Sequence, residues 1–149
     1  MFFQYDATTG LAASIRKNSV DTVIPQASWN LDRFDGTGPS GYTLDPTATQ
    51  IFVFNFEWLG VGSAWFGFVV GGALVWAHRA DHANLAASVY MQTPNNPLRY
   101  EIIATAPGSG SMTAICSSIN SEGGNDPNGK VLSVARVTDV VCNTHDPNP

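Results

Sequence analysis

The stretch that decides the fold is QIFVFNFEWL‑GVG‑SAWFGFVV‑GG‑ALVWAHR, residues 50–79. In its first run Phe52, Phe54, Phe56 and Trp58 alternate with Ile51, Val53, Asn55 and Glu57. Successive side chains of a strand point to opposite faces, so this spacing predicts a strand over 50–59 with four aromatics on one face. That face must be buried. Gly71 and Gly72 supply the positive φ angles of a two-residue hairpin between the apolar runs 63–70 and 73–79. With Gly60-Val61-Gly62 as the first turn, the three runs form an antiparallel meander.

The same letters admit a rival. Leu59 to Ala77 is nineteen residues without a formal charge and contains Gly67-xxx-Gly71, which meets the length and small-residue criteria of a membrane helix. Five glycines interrupt it, however, and the residues between them are mostly β-branched or aromatic, which suits pleated strands. The strand reading is preferred, and no membrane partner is expected.

Outward from this meander, short strand candidates lie at 2–5, 11–16, 19–24, 84–91, 98–105, 111–120 and 130–138. Nine prolines and fourteen glycines are spread along the chain, and no window sustains apolar residues at i, i+3, i+4 and i+7, so little or no helix is expected. The fold class is all-β, an antiparallel β-sandwich or jelly-roll-like single domain over 1–142, with an extended tail at 143–149. At 149 residues there is room for one core. Met1 is followed by Phe2, Phe3, Gln4, Tyr5 and Asp6 without a basic segment leading into an apolar one, so no secretory leader is expected.

Composition narrows the function. Charged residues make up 13% of the chain, about half the roughly 25% usual for soluble domains. A surface so poor in charge is finished with small polar residues or covered by partners, as in an assembly subunit. The net charge of −5 and the lack of any basic cluster argue against nucleic acid. Cys116 and Cys142 are too few for a disulfide framework and read as free thiols; the alternative is one bridge tying a C-terminal strand to the body.

Few residues offer chemistry. His78, Asp81 and His82 fall within five positions, but converging on a metal would require a bend between them and further ligands, so the histidines are assigned to loop hydrogen bonds or a subunit contact. No GxSxG elbow is present, and the carboxylates are scattered. The Asp35-Gly36-Thr37-Gly38-Pro39-Ser40-Gly41 loop lacks the ending of a P-loop and reads as an ordered surface loop. The expectation is no catalytic, cofactor-binding or metal-binding residue. Trp29, Trp58, Trp65 and Trp76 could form a carbohydrate platform, but for each the core reading is preferred.

The chain also contains Trp29-Asn30-Leu31-Asp32 followed by the 35–41 loop, then Thr43-Leu44-Asp45-Pro46-Thr47, Trp58-Leu59-Gly60-Val61-Gly62 and His82-Ala83-Asn84. Tyr90-Met91-Gln92-Thr93-Pro94-Asn95, Arg99-Tyr100-Glu101-Ile102 and Ser121-Glu122-Gly123-Gly124 follow in order. In these stretches, from Trp29 to Gly124, it resembles a family of virion structural proteins of bacteriophages and environmental viruses. The resemblance implies a virion component without enzymatic activity. Because the chain is short before the motif, a compact module is favoured over a long fibre: a capsid decoration or cement protein, trimeric, bridging major-capsid subunits. The alternative is a tail-fibre or baseplate domain that binds host polysaccharide. Under the cement reading the contact surface is expected at Trp29, Phe34, Asp35, Gly36, Thr37, Gly38, Pro39, Ser40 and Gly41, and in the tail at Asn143, Pro147 and Pro149.

Overall fold

Among the described residues six strands form two antiparallel three-stranded meanders, each in the order of its sequence. The first comprises β1 (Phe2–Asp6), β2 (Gly10–Lys17) and β3 (Val20–Pro25), and the second β4 (Phe52–Phe56), β5 (Ser63–Val70) and β6 (Ala73–Asp81). A 3-10 turn at Gln26–Ser28 follows β3. The computed structural model describes residues 1–57, 60–92, 97–103 and 111–120, and the chain divides into two compact units, Met1–Arg99 and Tyr100–Pro149. All six strands lie in the first unit.

Local chemistry sets the turns. The Asp6 carboxylate accepts the amides of Thr8 and Thr9 at 2.8 and 2.7 Å, which shapes the β1–β2 turn. Asn18 and Ser19, with φ of 50° and 62°, make a two-residue turn that brings Lys17 opposite Val20. Gly71 and Gly72, at 59° and 81°, do the same between β5 and β6, as the pair of glycines predicts.

The core lies between the inner faces of the two sheets. Leu11, Ala13 and Ile15 of β2 meet Ala64, Phe66 and Phe68 of β5, joined by Trp29, Phe34, Ala77 and Tyr90. Phe3 of β1 lies among four rings of the second sheet, 5.1, 5.2, 5.6 and 4.8 Å from Phe52, Phe54, Phe66 and Phe68. Each buried phenylalanine contributes about 1.5–3 kcal/mol by removal from water. This sandwich-like, all-β arrangement is the fold class read from the sequence.

A β-bulge in β6 shapes everything around it. Phe66 pairs with His78 and Gly67 with Trp76, which leaves Ala77 as the extra residue. The Ala77 carbonyl accepts the amides of Leu31 and Asp32 at 3.1 and 3.0 Å. The Asn30 side chain donates through Nδ2 to the Arg79 carbonyl at 2.8 Å and accepts the Arg79 backbone N–H at Oδ1 at 2.9 Å, taking the place of a neighbouring strand's backbone. The 30–32 segment thus covers the edge of β6, which would otherwise expose unpaired backbone groups.

Four sequence expectations need correction. Residues 84–91 form turns, because the His82 carbonyl accepts the amides of Leu85 and Ala86 and Asn84 takes a φ of 59°. The segment is held by Tyr90, whose amide donates to Gly60 and whose hydroxyl donates to the Glu57 carbonyl at 2.6 Å and accepts the Glu57 amide at 3.0 Å. Residues 98–103 and 111–120 are not strands either; they have no regular secondary structure. The aromatic face of β4 is only partly buried, with Phe54 half-buried and Phe52 and Phe56 still 45% and 40% exposed, since β4 flanks a sheet of only three strands. The strand expected at 130–138 lies outside the described residues.

Candidate functional site

The 35–41 loop is built from a residue that precedes it. Asp32 is buried and accepts the amide of Phe34 at 2.8 Å with one oxygen and that of Ser40 at 2.7 Å with the other. Burial pushes its carboxyl up, but the Phe34 and Ser40 amides and the Ser40 hydroxyl outweigh it and hold the group below the ordinary aspartate value. A side chain at Gly38 would run into this carboxylate, so glycine is required there. Gly36 donates to Tyr42, Leu44 donates to Phe34, and Asp35 bridges Thr43, closing the loop at its base. Asp35 accepts the Thr37 amide at 2.9 Å, an Asx turn that fixes the tip.

Of the residues expected to make contacts, Asp35, Gly36, Thr37, Pro39 and Gly41 are exposed, and Gly38 and Ser40 are half-buried. Trp29 and Phe34 are core residues, only 3% and 0% exposed, and the assignment of their side chains to a contact surface is corrected. Both pack against Phe68, and Trp29 donates its indole N–H to the Ile24 carbonyl at 3.2 Å. A shallow depression of about 310 Å³ lies beside the loop, lined by Asn30, Leu31, Arg33, Thr37, Gly38 and Pro39 above Trp29. Asn143, Pro147 and Pro149 lie outside the described residues.

The histidine cluster does not converge as a donor set. His78 is buried opposite Phe66, whereas the His82 ring meets that of Tyr90 at a tilt of 55° with centroids 4.6 Å apart, and the His82 backbone N–H donates to Gly62. Asp81 between them is taken by Ser63, whose hydroxyl donates at 2.6 Å, and by the Arg79 guanidinium at 2.9 Å. No group of three or more His, Cys, Asp or Glu is placed to hold a metal among the described residues. Cys116 is a free, exposed thiol.

The second sheet presents a face that the sequence reading assigned to the core. Opposite the buried Phe66 and Phe68, β5 turns Trp65, Gly67 and Val69 outward. Register places Asn55, Trp65 and Arg79 in one row, Val53, Gly67 and Trp76 in the next, and Val69 beside the exposed Leu74 in a third. The Trp65 and Trp76 rings meet with centroids 5.5 Å apart, and the Arg79 guanidinium lies 5.1 Å over Trp65. Both tryptophans are half-buried, so the core reading is corrected for them; Trp58 is outside the described residues. The face therefore runs from an apolar end through a pair of indoles to a polar end.

In the second unit the described residues expose a series of large apolar side chains: Tyr100, Ile102, Ile103, Met112, Ile115 and Ile119 are 50–80% exposed. No helix among the described residues is long and apolar enough to cross a membrane. No protein-family model, curated protein or solved structure matches this chain.

Proposed function

We propose that this protein is a non-enzymatic structural subunit of a bacteriophage virion, a decoration protein that cements the capsid shell through contacts with its own copies and with the major capsid protein. The observation that carries the reading is the set of exposed apolar side chains on residues 100–103 and 111–120. These residues have strand-type composition yet no strand, and Ile103, Ile115 and Ile119 are 71%, 80% and 75% exposed. Isolated apolar side chains on a surface are ordinary, but a succession of them on residues 100–103 and 111–120 marks a surface made to be covered. Such a segment, with its strand-type composition, can add to the sheet edge of a neighbour, where backbone hydrogen bonds give affinity and alternate side chains give register.

Three further features support the assignment. The low charge leaves few ions to desolvate in a subunit contact. The Asp32-anchored loop offers a rigid, exposed projection at Asp35–Thr37 and Pro39. The sequence resemblance to virion structural proteins supplies the setting. In a shell the same modest contact recurs at every symmetry-related position, and avidity replaces strength at any one site. A trimer at local threefold positions is the arrangement proposed.

Cryo-electron microscopy of the virion that carries this chain tests the proposal. Stoichiometric, symmetry-related copies on the capsid shell are expected, with residues 100–103 and 111–120 against a neighbouring chain. Density confined to the tail tip or fibres, or no copies on the particle, would refute the shell role.

A further inference from the structure

The outward face of β4, β5 and β6 has a chemistry that subunit cementing does not use. Gly67 sits beneath Trp76: a methyl group there would come within 2.7 Å of the indole, so the missing side chain is what lets the ring lie down on the sheet. Trp65 is braced from its other neighbours, with Arg79 over its ring and Arg79 itself fixed through Nε to Asp81 at 2.9 Å. Asp81 is fixed in turn by Ser63. The Arg79 side chain is 42% exposed, and its Nη groups make no hydrogen bond to any described residue. Asn55 lies exposed on the opposite side of Trp65. Two indoles are thus held in place by packing and by an ion pair, with polar groups projecting beside them.

We infer that this face is a carbohydrate-binding platform, on which Trp76 takes the C–H face of a neutral pyranose, Trp65, tilted 55° to it and capped by Arg79, walls the site, and Arg79 and Asn55 hydrogen-bond the sugar's hydroxyl groups. Indole rings offer a flat apolar surface that loses little conformational freedom on binding, which suits the weakly polar face of a sugar ring. Charge selects the occupant. Arg79 is neutralised by Asp81, so the platform has no excess positive charge, and the chain as a whole carries −5; an anionic polymer is therefore disfavoured, and an uncharged polyhydroxylated one is not. A protein partner would have to desolvate the Arg79–Asp81 pair, whereas sugar hydroxyls replace the water around it. This inference does not depend on the shell role: a cement subunit and a tail subunit could both display such a face.

The test is titration of the purified full-length chain with neutral hexasaccharides of glucose, galactose, mannose and N-acetylglucosamine, with alginate as the anionic control. Isothermal calorimetry and tryptophan fluorescence give the readouts. At least one neutral hexasaccharide is expected to bind and to perturb the fluorescence. Trp76→Ala is expected to weaken it by about tenfold or more, the loss typical of an anchoring aromatic, and Trp76→Phe to restore part of it. Asn55→Ala, at an exposed position that the core does not use, is expected to weaken binding without changing the melting temperature. Binding of alginate alone, no binding of any hexasaccharide at millimolar concentration, or binding unaffected by both Trp76→Ala and Asn55→Ala would overturn the inference. So would a dimer that Trp76→Ala dissociates while no saccharide competes with it.

Discussion

At the scale of single residues, a buried carboxylate and a buried imidazole give the molecule two acid-sensitive points. Asp32 is held below the ordinary aspartate value of 3.8, so its contribution is complete above that pH and is lost as the solution is acidified through its folded value. His78 is the opposite kind of group. Burial lowers its affinity for a proton below the ordinary value of 6.5, with Asp81 pulling weakly the other way. The unfolded chain therefore takes up this proton first as the pH falls. The part of the stability that depends on His78 is constant above about pH 6.5 and declines from there toward the folded value. Urea unfolding followed from pH 8 to pH 3 is expected to show both losses. His78→Gln should remove the upper one, and Asp32→Asn, which keeps an acceptor for one of the two amides and turns an NH2 donor toward the other, should lower stability by about 1–3 kcal/mol at neutral pH and remove its part of the lower one. If the stability of His78→Gln retains the full slope below pH 6.5, the buried imidazole is not its source.

At the scale of elements, the second meander was legible because alternation and the Gly71-Gly72 turn are local signals. β4, β5 and β6 fall within the runs read at 50–59, 63–70 and 73–79, with β6 extending two residues further. The bulge was not legible, and it decides the faces. In an unbroken ladder His78 would lie opposite Trp65; the extra Ala77 moves it opposite Phe66, into the core, and brings Arg79 beside Trp65 instead. The tryptophans were misjudged for a related reason: their hydrophobicity suggested burial, whereas Trp65 has the opposite parity to Phe66 and Phe68, a pattern that the sequence does contain. In the loop, DGTGPSG announced an ordered turn, but the carboxylate that orders it stands three residues earlier, and the adjoining Trp29 and Phe34 turn inward. The segments 84–91, 98–103 and 111–120 have strand-like composition, and composition carries no information about whether a partner strand is within reach. Gly67 allows the element-level account to be checked. Gly67→Ala places a methyl group 2.7 Å from the Trp76 ring and 2.8 Å from the Val75 carbonyl. The backbone cannot give way cheaply there, so a loss of about 1–3 kcal/mol is expected in chemical denaturation, with a changed near-ultraviolet circular dichroism signal from the displaced indole pair. An unchanged aromatic spectrum would mean that Trp76 does not rest on Gly67.

For the whole molecule, the distribution of apolar surface is uneven in an informative way. The first unit buries one apolar cluster between two sheets and also exposes single apolar side chains such as Val20, Ile51 and Leu85, whereas in the described part of the second the large apolar side chains lie outside with no regular backbone pairing to hold them. A chain with 13% charged residues has little to keep such segments from associating, so the isolated protein is expected to form a defined oligomer at micromolar concentration. The double variant Ile102→Asp, Ile115→Asp separates the two roles that these side chains could have. Both positions are strongly exposed, 57% and 80%, so folding of the sandwich should be nearly unaffected, with the change in stability of the dissociated chain within about 0.5 kcal/mol. Association should be lost, because a carboxylate buried in an apolar contact carries a desolvation cost that no neighbour offsets. Analytical ultracentrifugation reads the first effect and thermal unfolding at low protein concentration the second. An oligomer that survives the double substitution would move the contact to the Asp32-anchored loop or to the outward face of β4–β6; a chain that unfolds would place these isoleucines in its own core. Dissociation without unfolding is the outcome that an assembly subunit requires, since its association surface must be separable from the fold that presents it.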